Sequence, residues 1–250
     1  MANDWFTVER IDENTFAISE YKHWEETHSY LLIGVDKALL IDTGLGVANI
    51  KSVVDTLTNL PVIVTTTHIH WDHIGGHKYF DNIAVYESEE QWLKDFPLPL
   101  QVVKTNLQDT NFNFPEDFDI NNYTIFQGEP QFLLHDNEII DLGGRKIQTI
   151  HTPGHSLGHC CFYELAKGYL FSGDLIYKGC LDIYYPTTDI NDFENSIKKV
   201  KQLSISRILP AHHSLNISVE IIDSISNAFR ILRASGKLQQ GTAYLILGNF

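Results

Sequence analysis

The amino-acid sequence predicts an α/β fold, an αββα sandwich in which two mixed sheets lie face to face with helices outside. Two observations support this prediction. Short β-prone segments alternate with segments of helical period, and a similar order of strands and helices returns in the second half of the 250 residues. A chain of this length can bury one full core, so we expect a single domain over residues 1–250.

The first half begins with short β-prone segments that are separated by turn-forming residues. We predict strands at Phe6–Arg10, Thr15–Ser19, Ser29–Ile33 and Ala38–Asp42. Apolar residues at helical spacing then predict a helix from Val47 to Leu57. A buried strand at Pro61–Thr67 follows, and Gly75-Gly76 is expected to open a short helix.

The second half repeats this pattern of strands followed by helices. We predict strands at Lys146–His151, Cys160–Glu164, Gly168–Ser172 and Arg207–Pro210. Helices are predicted at Asp189–Leu203 and Ser218–Ala234, and the side chain of Asp189 is suited to cap the first of them.

Residues 95–130 interrupt the pattern with an irregular insertion that is rich in aromatic residues. The segment contains six Phe or Tyr residues among Pro, Asn and Asp, and it shows no sustained period. Long irregular segments within a compact domain are usually functional loops or disordered ones. Three interpretations stay open: a segment packed on the body or at a dimer contact, a lid over the substrate, or a disordered loop.

The charge balance and the cysteine content restrict the function classes. The chain has 18 Lys+Arg against 32 Asp+Glu, a formal charge of −14, and no basic run, which disfavours nucleic acid as a partner. The N-terminus lacks the basic and apolar regions of a signal peptide, and no stretch approaches the ~18 apolar residues of a membrane span. The three Cys residues are expected to be free thiols, which predicts a cytoplasmic protein.

One segment concentrates residues that bind metals. His68, His70, Asp72 and His73 fall within six positions, directly after an apolar strand. His and Asp are costly to bury without partners, whereas neutral imidazole and carboxylate are good zinc ligands. His68 and His70 can therefore share one ion, and Asp72 and His73 can serve a second.

Three later segments complete the set, each with a ligand-type residue just past a predicted strand. They are Pro153-Gly154-His155, Gly173-Asp174 and Pro210-Ala211-His212. Any one of them alone would be weak support, but four in this order indicate a metal centre.

The four motifs together resemble the metallo-β-lactamase superfamily, over a span from about Thr15 to His213. This resemblance implies the metallo-β-lactamase fold and two zinc ions per chain, although other divalent metals such as Mn or Fe are compatible. It further implies that the first metal is held by His68, His70 and His155, the second by Asp72, His73 and His212, with Asp174 bridging both. The register of the last motif favours His212 over the adjacent His213. Among the other histidines, His77 is expected to support the metal ligands, and His159 to pair with a carboxylate.

Further segments look like those of the metallo-β-lactamase-domain acyl-CoA thioesterases: Ile41–Gly46, Gly173–Gly179 and Asp182–Pro186. The N-acyl homoserine lactonases are similar in having a Tyr three residues past the bridging Asp, as Tyr177 is here. By this resemblance Tyr177 would stabilise an oxyanion. In a dinuclear centre of this kind, Asp72 is expected to orient the nucleophile. The alternative for Tyr177 is an aromatic side chain that packs under the site.

The leading hypothesis is a dinuclear zinc hydrolase that cleaves an ester-like bond of a small molecule, a thioester or lactone, by metal-activated hydroxide. Residues 95–130 are then predicted to fold over the site and to favour apolar acyl chains. A glyoxalase II-like hydrolase of glutathione thioesters is the second hypothesis, although no basic patch for glutathione is evident. The third is a metal-binding sensor that retains the ligands without catalysis. A homodimer remains open.

Overall fold

The computed structural model describes residues 4–108, 113–183, 185–241 and 244–245. It divides into two compact units. Unit 1 holds the described residues up to Leu134 together with Leu142–Arg145, and unit 2 holds His135–Asp141 and the described residues from Lys146 onward.

Unit 1 is built on a mixed sheet, whose seven strands among the described residues follow the chain order. The strands are β1 (Thr7–Asp12), β2 (Thr15–Ser19), β3 (His28–Ile33), β4 (Ala38–Ile41), β5 (Val62–Thr65), β6 (Ile83–Tyr86) and β7 (Phe132–Leu134). Neighbours from β1 to β4 are antiparallel, and neighbours from β4 to β7 are parallel. The four residues of β4 are all buried, as expected for a strand in the middle of a covered sheet.

The first helix of unit 1, α1 (Ile50–Leu57), connects β4 to the parallel strand β5. Its buried residues Ile50, Val53 and Val54 have the i, i+3, i+4 spacing that places them on one face of a helix. They join the apolar core of unit 1, so the helix predicted from Val47 is confirmed with a start three residues later.

Three shorter helices follow β5 in unit 1: α2 (Trp71–Ile74), α3 (Glu90–Lys94) and α4 (Leu100–Leu107). The helix expected to open at Gly75-Gly76 begins instead at Trp71, so Asp72 and His73 lie on it. A 3₁₀ turn at His77–Tyr79 follows the two glycines. Strand β6 was not predicted.

The insertion at 95–130 is more regular than its sequence suggested, because α4 lies within it. Its aromatic side chains form a chain of ring contacts: Trp5 stacks on Phe114 with centroids 5.8 Å apart, Phe114 contacts Phe118 at 4.8 Å, and Phe118 contacts Tyr123 at 6.1 Å. All four belong to or pack against the core of unit 1. The described part is therefore a packed segment, whereas Phe112 lies outside the described residues.

Unit 2 is built on a second mixed sheet, in which the strands at Tyr169–Gly173 and Arg207–Pro210 are parallel and the other neighbours antiparallel. In spatial order the strands are β13 (Arg207–Pro210), β11 (Tyr169–Gly173), β10 (Cys160–Glu164), β9 (Lys146–His151) and β8 (Ile139–Asp141). Strands β12 (Cys180–Leu181) and β14 (Tyr244–Leu245) form a separate antiparallel pair.

Two helices cover the core of unit 2, α5 (Ile190–Val200) and α6 (Ile221–Ala234). Asp189 caps α5 as predicted, since its carboxylate accepts the backbone N–H groups of Asn191 at 2.8 Å and Asp192 at 3.0 Å. Phe193 of α5 stacks on Phe229 of α6 with ring centroids 5.7 Å apart. Among the described residues, none of the helices has the length and apolarity to cross a bilayer.

A tight loop after β4 brings two backbone segments of unit 1 into direct contact. Gly46 has φ +74°, and a Cβ added there would lie 2.4 Å from the carbonyl oxygen of Gly75. The amide of Gly75 donates to Gly44 O at 2.9 Å, which ties the loop to the end of α2. The absence of a side chain at Gly46 therefore allows the loop to pack on the segment that carries Asp72 and His73.

The Gly46→Ala variant should lose more stability than Gly144→Ala. Both glycines have a positive φ, +74° and +79°, but nothing lies within 4 Å of a Cβ at Gly144. Gly144→Ala should lose only the left-handed backbone cost of about 1–2 kcal/mol. Gly46→Ala adds an overpacking cost of about 1–3 kcal/mol. Chemical denaturation of the metal-free protein measures both, and equal losses would contradict the close approach.

Candidate metal centre

The four ligand-type residues of the first motif lie together in unit 1. The ring centroid of His68 is 4.4 Å from that of His70 and 4.1 Å from that of His73. Potential ligand atoms lie within 4.8 Å of one another in the pairs His68–His70, His68–His73 and Asp72–His73. His68, Asp72 and His73 are buried and His70 is half-buried, so unit 1 assembles these four residues as one cluster.

Asp42, the residue after β4, organises this cluster. Its carboxylate oxygen Oδ2 is 3.1 Å from His73 Nδ1 and accepts the hydroxyl of Thr67 at 3.0 Å, and Oδ1 accepts the Thr67 amide at 2.7 Å. The Thr67 hydroxyl also lies 3.0 Å from His68 Nδ1. Asp42 adopts φ +61°, a left-handed conformation that Asp tolerates better than most residues. One carboxylate thus fixes two imidazole rings, one of them through Thr67.

The hydrogen bonds determine which imidazole nitrogen is available for a metal. Nδ1 of His73 donates to Asp42, so a neutral His73 carries its lone pair on Nε2. Asp72 Oδ2 lies 3.2 Å from that Nε2. Two acceptors at this distance repel each other unless a proton or a metal ion accompanies them. The donor set of this cluster therefore fits a divalent cation.

Unit 2 contains a second cluster, in which two imidazoles flank one carboxylate. Asp174, which follows β11, has Oδ2 at 3.5 Å from His155 Nε2 and Oδ1 at 3.2 Å from His212 Nε2. His155 Nδ1 donates to the carbonyl oxygen of Asp182 at 3.0 Å, so the lone pair of a neutral His155 also faces a carboxylate. The same crowding of acceptors occurs here, and the three predicted ligands of the second half lie together.

His213, the alternative to His212, has a different environment. It adopts φ +63°, and its ring lies 5.9 Å from that of Tyr177. His212 is the one that lies beside Asp174. This difference supports the choice of His212 that the motif register predicted.

His159 holds the backbone of Asp174, whose carboxylate is the predicted bridge. Its Nε2 accepts the amide of Asp174 at 3.1 Å, and its Nδ1 is 3.1 Å from the carbonyl oxygen of Thr152. Because a carbonyl can only accept, Nδ1 carries the proton and Nε2 the lone pair. His159 was expected to pair with a carboxylate, and the structure shows a hydrogen bond to it from the main-chain amide of Asp174.

His77, in the 3₁₀ turn after α2, is linked to the first cluster through Thr43. Its Nδ1 lies 2.7 Å from the hydroxyl of Thr43, and the Thr43 amide donates to His73 O at 2.7 Å. Complete burial, and secondly the neighbouring His73, lower the pKa of His77 to about 3. His77 therefore stays neutral at physiological pH and can bond with Thr43 without adding charge.

Tyr177 lies in the apolar core of unit 2, with its ring 5.5 Å from that of His212. Its hydroxyl donates a hydrogen bond to the carbonyl oxygen of Cys180. A phenol has one proton to donate, so an oxyanion could receive it only if the hydroxyl turned away from Cys180.

The comparisons with known proteins identify the family of this chain. A family model described as the metallo-β-lactamase superfamily matches residues 24–212. The chain belongs to this superfamily. Membership implies that it binds divalent metal, for which the two clusters are the candidate ligands.

Two curated relatives are similar to this superfamily member over much of its length. The acyl-coenzyme A thioesterase MBLAC2 of Homo sapiens is 27% identical over 84% of this chain and 82% of its own. The hydroxyacylglutathione hydrolase of Serratia proteamaculans is 28% identical over 72% of this chain and 58% of its own. The predicted resemblance to acyl-CoA thioesterases is confirmed, as is the prediction that the chain is a hydrolase.

Solved structures confirm the predicted fold class. The metallo-β-lactamase IND-7 matches with a TM-score of 0.68 at 16% identity, over 92% of this chain and all of its own. A metallo-β-lactamase from Pontibacter korlensis matches with a TM-score of 0.65 at 16% identity, over 90% of this chain and 99% of its own. At such identities the likeness shows the αββα fold and says nothing of the substrate.

The Asp42→Asn variant should bind divalent metal more weakly. The new amide would present N–H groups where Oδ2 now accepts from His73 and Thr67, which forces the His73 proton onto Nε2 and removes the ligand lone pair. Loss of such a supporting partner typically costs about 10–100-fold in metal affinity. Competition with a chromophoric chelator measures this loss, with the exposed Asp55→Asn as the control. Equal affinity in both variants would exclude the role of Asp42.

Proposed function

We propose that the chain is a dinuclear zinc hydrolase that cleaves a thioester, with a lactone as the second substrate class. The proposal takes the two units as one metallo-β-lactamase domain over residues 1–250, whose two clusters supply a single centre. In it His68, His70 and His155 would hold the first ion, Asp72, His73 and His212 the second, and Asp174 would bridge them. The observation that carries the proposal is the crowding of acceptors in both clusters, since His73 faces Asp72 and two imidazoles face Asp174.

The number of ligand-type residues supports two ions. Zinc in proteins is usually four-coordinate, and a catalytic zinc takes about three protein ligands and leaves one position open. Seven ligand-type side chains are too many for one such ion and suit two that share a bridge. Imidazole nitrogens and carboxylate oxygens suit zinc, and Mn or Fe would accept the same donors.

The names of the relatives support a thioester substrate. One is named for acyl-coenzyme A and the other for hydroxyacylglutathione, and both names denote thioesters. The acyl-CoA relative aligns over 82% of its own length, and the hydroxyacylglutathione relative over 58%. Among thioesters we therefore place acyl-CoA ahead of a glutathione thioester.

The chain's own residues would divide the chemistry between the two clusters. When bound, two zinc ions would lower the pKa of a water molecule and polarise the thioester carbonyl. Asp72 would orient the attacking water through a hydrogen bond, take its proton and return one to the sulfur of the leaving group. Tyr177 would turn its hydroxyl from Cys180 to the carbonyl oxygen as negative charge develops there.

The aromatic insertion would set the preference for the acyl chain. The ring of Phe126 lies 5.8 Å from that of His77, which places one aromatic side chain of the insertion beside a residue that supports the metal ligands. Each buried CH₂ group of a substrate is worth about 0.8 kcal/mol, so an apolar wall would favour longer acyl chains. That the insertion acts as a lid remains part of the proposal, as do a cytoplasmic location and a homodimer.

The purified protein should bind close to two zinc ions and hydrolyse acyl-CoA thioesters, and Asp174→Ala should lose both properties together. Without the bridging carboxylate two cations would face each other with less compensating charge. Elemental analysis, release of free thiol from acyl-CoA and acylglutathione, and release of acid from lactones are the measurements. The exposed Asp192→Ala is the control. A stoichiometry that never exceeds one ion, or full activity of Asp174→Ala, would contradict the dinuclear proposal.

The Tyr177→Phe variant should lower kcat by up to about 10²-fold with unchanged zinc content, because only an oxyanion donor is removed. Tyr163→Phe is a matched control, since Tyr163 also belongs to the core of unit 2 and donates its hydroxyl to a backbone carbonyl, that of Ser204, at 2.9 Å. Equal kcat values for the two variants would leave Tyr177 as a packing residue beside His212.

A further inference from the structure

The carboxyl group of Glu20, the residue after β2, is buried without a cation. Its side chain lies in unit 1, only 1% of the residue is exposed, and no ion pair among the described residues includes it. Three neutral donors surround it instead: the indole N–H of Trp5 at 2.6 Å, the hydroxyl of Thr27 at 3.0 Å and the amide of Leu45 at 2.8 Å. Glu20 thus joins three segments that are distant in sequence.

Such a group is unfavourable for stability alone. Burial raises the pKa of Glu20 to about 7, and the three hydrogen bonds only partly offset that effect. A buried carboxyl group without a charged partner costs free energy that an apolar side chain would not. This cost suggests that Glu20 contributes to something other than the core.

The loop after β4 lies directly against this carboxyl group. A Cβ at Gly44, where φ is +69°, would lie 1.8 Å from Glu20 Oε2, so only glycine fits. The same oxygen accepts the amide of Leu45. On the other side of Leu45, its carbonyl oxygen accepts the hydroxyl of Tyr123 at 3.0 Å. Both polar groups of the Leu45 backbone are therefore held by buried side chains.

The loop in turn holds the segment that carries two of the predicted ligands. The amide of Thr43 donates to the carbonyl oxygen of His73 at 2.7 Å, and the amide of Gly75 donates to that of Gly44 at 2.9 Å. The path from Glu20 to His73 consists of consecutive hydrogen bonds and a few backbone residues. A shift of Leu45 would therefore move the main chain at His73.

We propose that Glu20 is a positioning residue, which holds the loop Thr43–Gly46 against α2 and so fixes Asp72 and His73 for the second metal ion. The part that concerns the metal rests on the proposed function. The part that concerns the loop rests on hydrogen bonds within unit 1 alone, so the two parts can fail separately.

The Glu20→Gln variant tests the proposal, because the amide keeps the shape of the side chain but has only one acceptor oxygen. If that oxygen stays with Thr27 and Leu45, the new NH₂ group meets the indole N–H of Trp5, donor against donor. The clash should displace the side chain and loosen Leu45. Trp5→Phe removes the opposing donor, so the double variant should regain much of the order. Trp5→Phe alone keeps the Leu45 bond and is the matched control.

The first measurement is amide hydrogen exchange on the metal-free protein. In Glu20→Gln the amides of Thr43 and Gly75 should exchange about 10-fold faster or more, while the Phe193 amide of α5 in unit 2 is unchanged. Trp5→Phe should leave all three unchanged. Unchanged exchange at Thr43 and Gly75 in a folded Glu20→Gln protein would overturn the proposal. If Glu20→Gln does not fold, the double variant with Trp5→Phe should fold and should exchange at Thr43 and Gly75 at about the parent rate, and a double variant that is also unfolded would overturn the proposal.

The second measurement is stepwise zinc binding with a competing chelator. Glu20→Gln should weaken the second zinc ion about 10-fold and leave the first unchanged, because His68 and His70 lie outside the α2 segment. Equal weakening of both ions would mean that Glu20 acts on the unit as a whole. If no second ion binds even to the parent protein, the proposed function fails, and the exchange data still decide the role of Glu20 in the loop.

Discussion

The carboxylate of Asp42 is the interaction on which the metal-binding part of unit 1 depends. It accepts a hydrogen bond from His73 Nδ1 and another from the Thr67 hydroxyl. The oxygen of that hydroxyl in turn accepts a hydrogen bond from His68 Nδ1. It also accepts the Thr67 amide, so the main chain that leads into the first motif is fixed by the same group. Hydrogen bonds to an ionised acceptor are stronger than neutral ones, and one residue can therefore orient two rings and the backbone between them. The left-handed conformation of Asp42 is a local cost that these bonds offset.

In unit 2 the predicted ligands are oriented by uncharged groups rather than by a carboxylate. His155 is oriented by the carbonyl oxygen of Asp182, and the backbone of Asp174 is held by a neutral His159. A carboxylate partner makes an imidazole a stronger base than a carbonyl partner does. His73 should therefore be the more electron-rich ligand of the two, which gives the two proposed metal positions different affinities.

The ligand motifs could be predicted from sequence because each is local: a few residues past a strand carry the chemistry. Strand positions such as Thr15–Ser19, Lys146–His151 and Cys160–Glu164 were predicted to the residue, since alternating or apolar runs bounded by turns are also local signals. The roles of Asp42 and Glu20 could not be assigned, and His159 was expected to pair with a carboxylate rather than with a main-chain amide, because each role depends on a partner many residues away. Asp42 gave a weak signal, a carboxylate at the end of an apolar strand and two residues before a glycine.

The insertion at 95–130 shows where prediction from local sequence patterns fails. The helix α4 was not predicted among the Pro and Asn residues of this segment, because only Val103 and Leu107 of the helix are buried and its stability comes from packing against the core of unit 1. A buried acid such as Glu20 also contradicts the usual reading of Glu as a surface residue. In both cases tertiary contacts outweigh the local preference of the sequence, and a local pattern cannot report them.

The contacts of the insertion have a consequence for protein engineering. Phe114 stacks on Trp5 near the N-terminus, and Tyr123 holds the backbone of Leu45 in the loop beside α2. The insertion is therefore not a detachable module on an independent scaffold. A segment grafted from a relative to exchange substrate preference would also have to supply a ring that packs on residue 5 and a donor for the carbonyl oxygen of residue 45. Chimeras that exchange the segment alone would leave an aromatic gap at one place and an unsatisfied carbonyl group at the other, so libraries for altered specificity should diversify its solvent-facing residues instead.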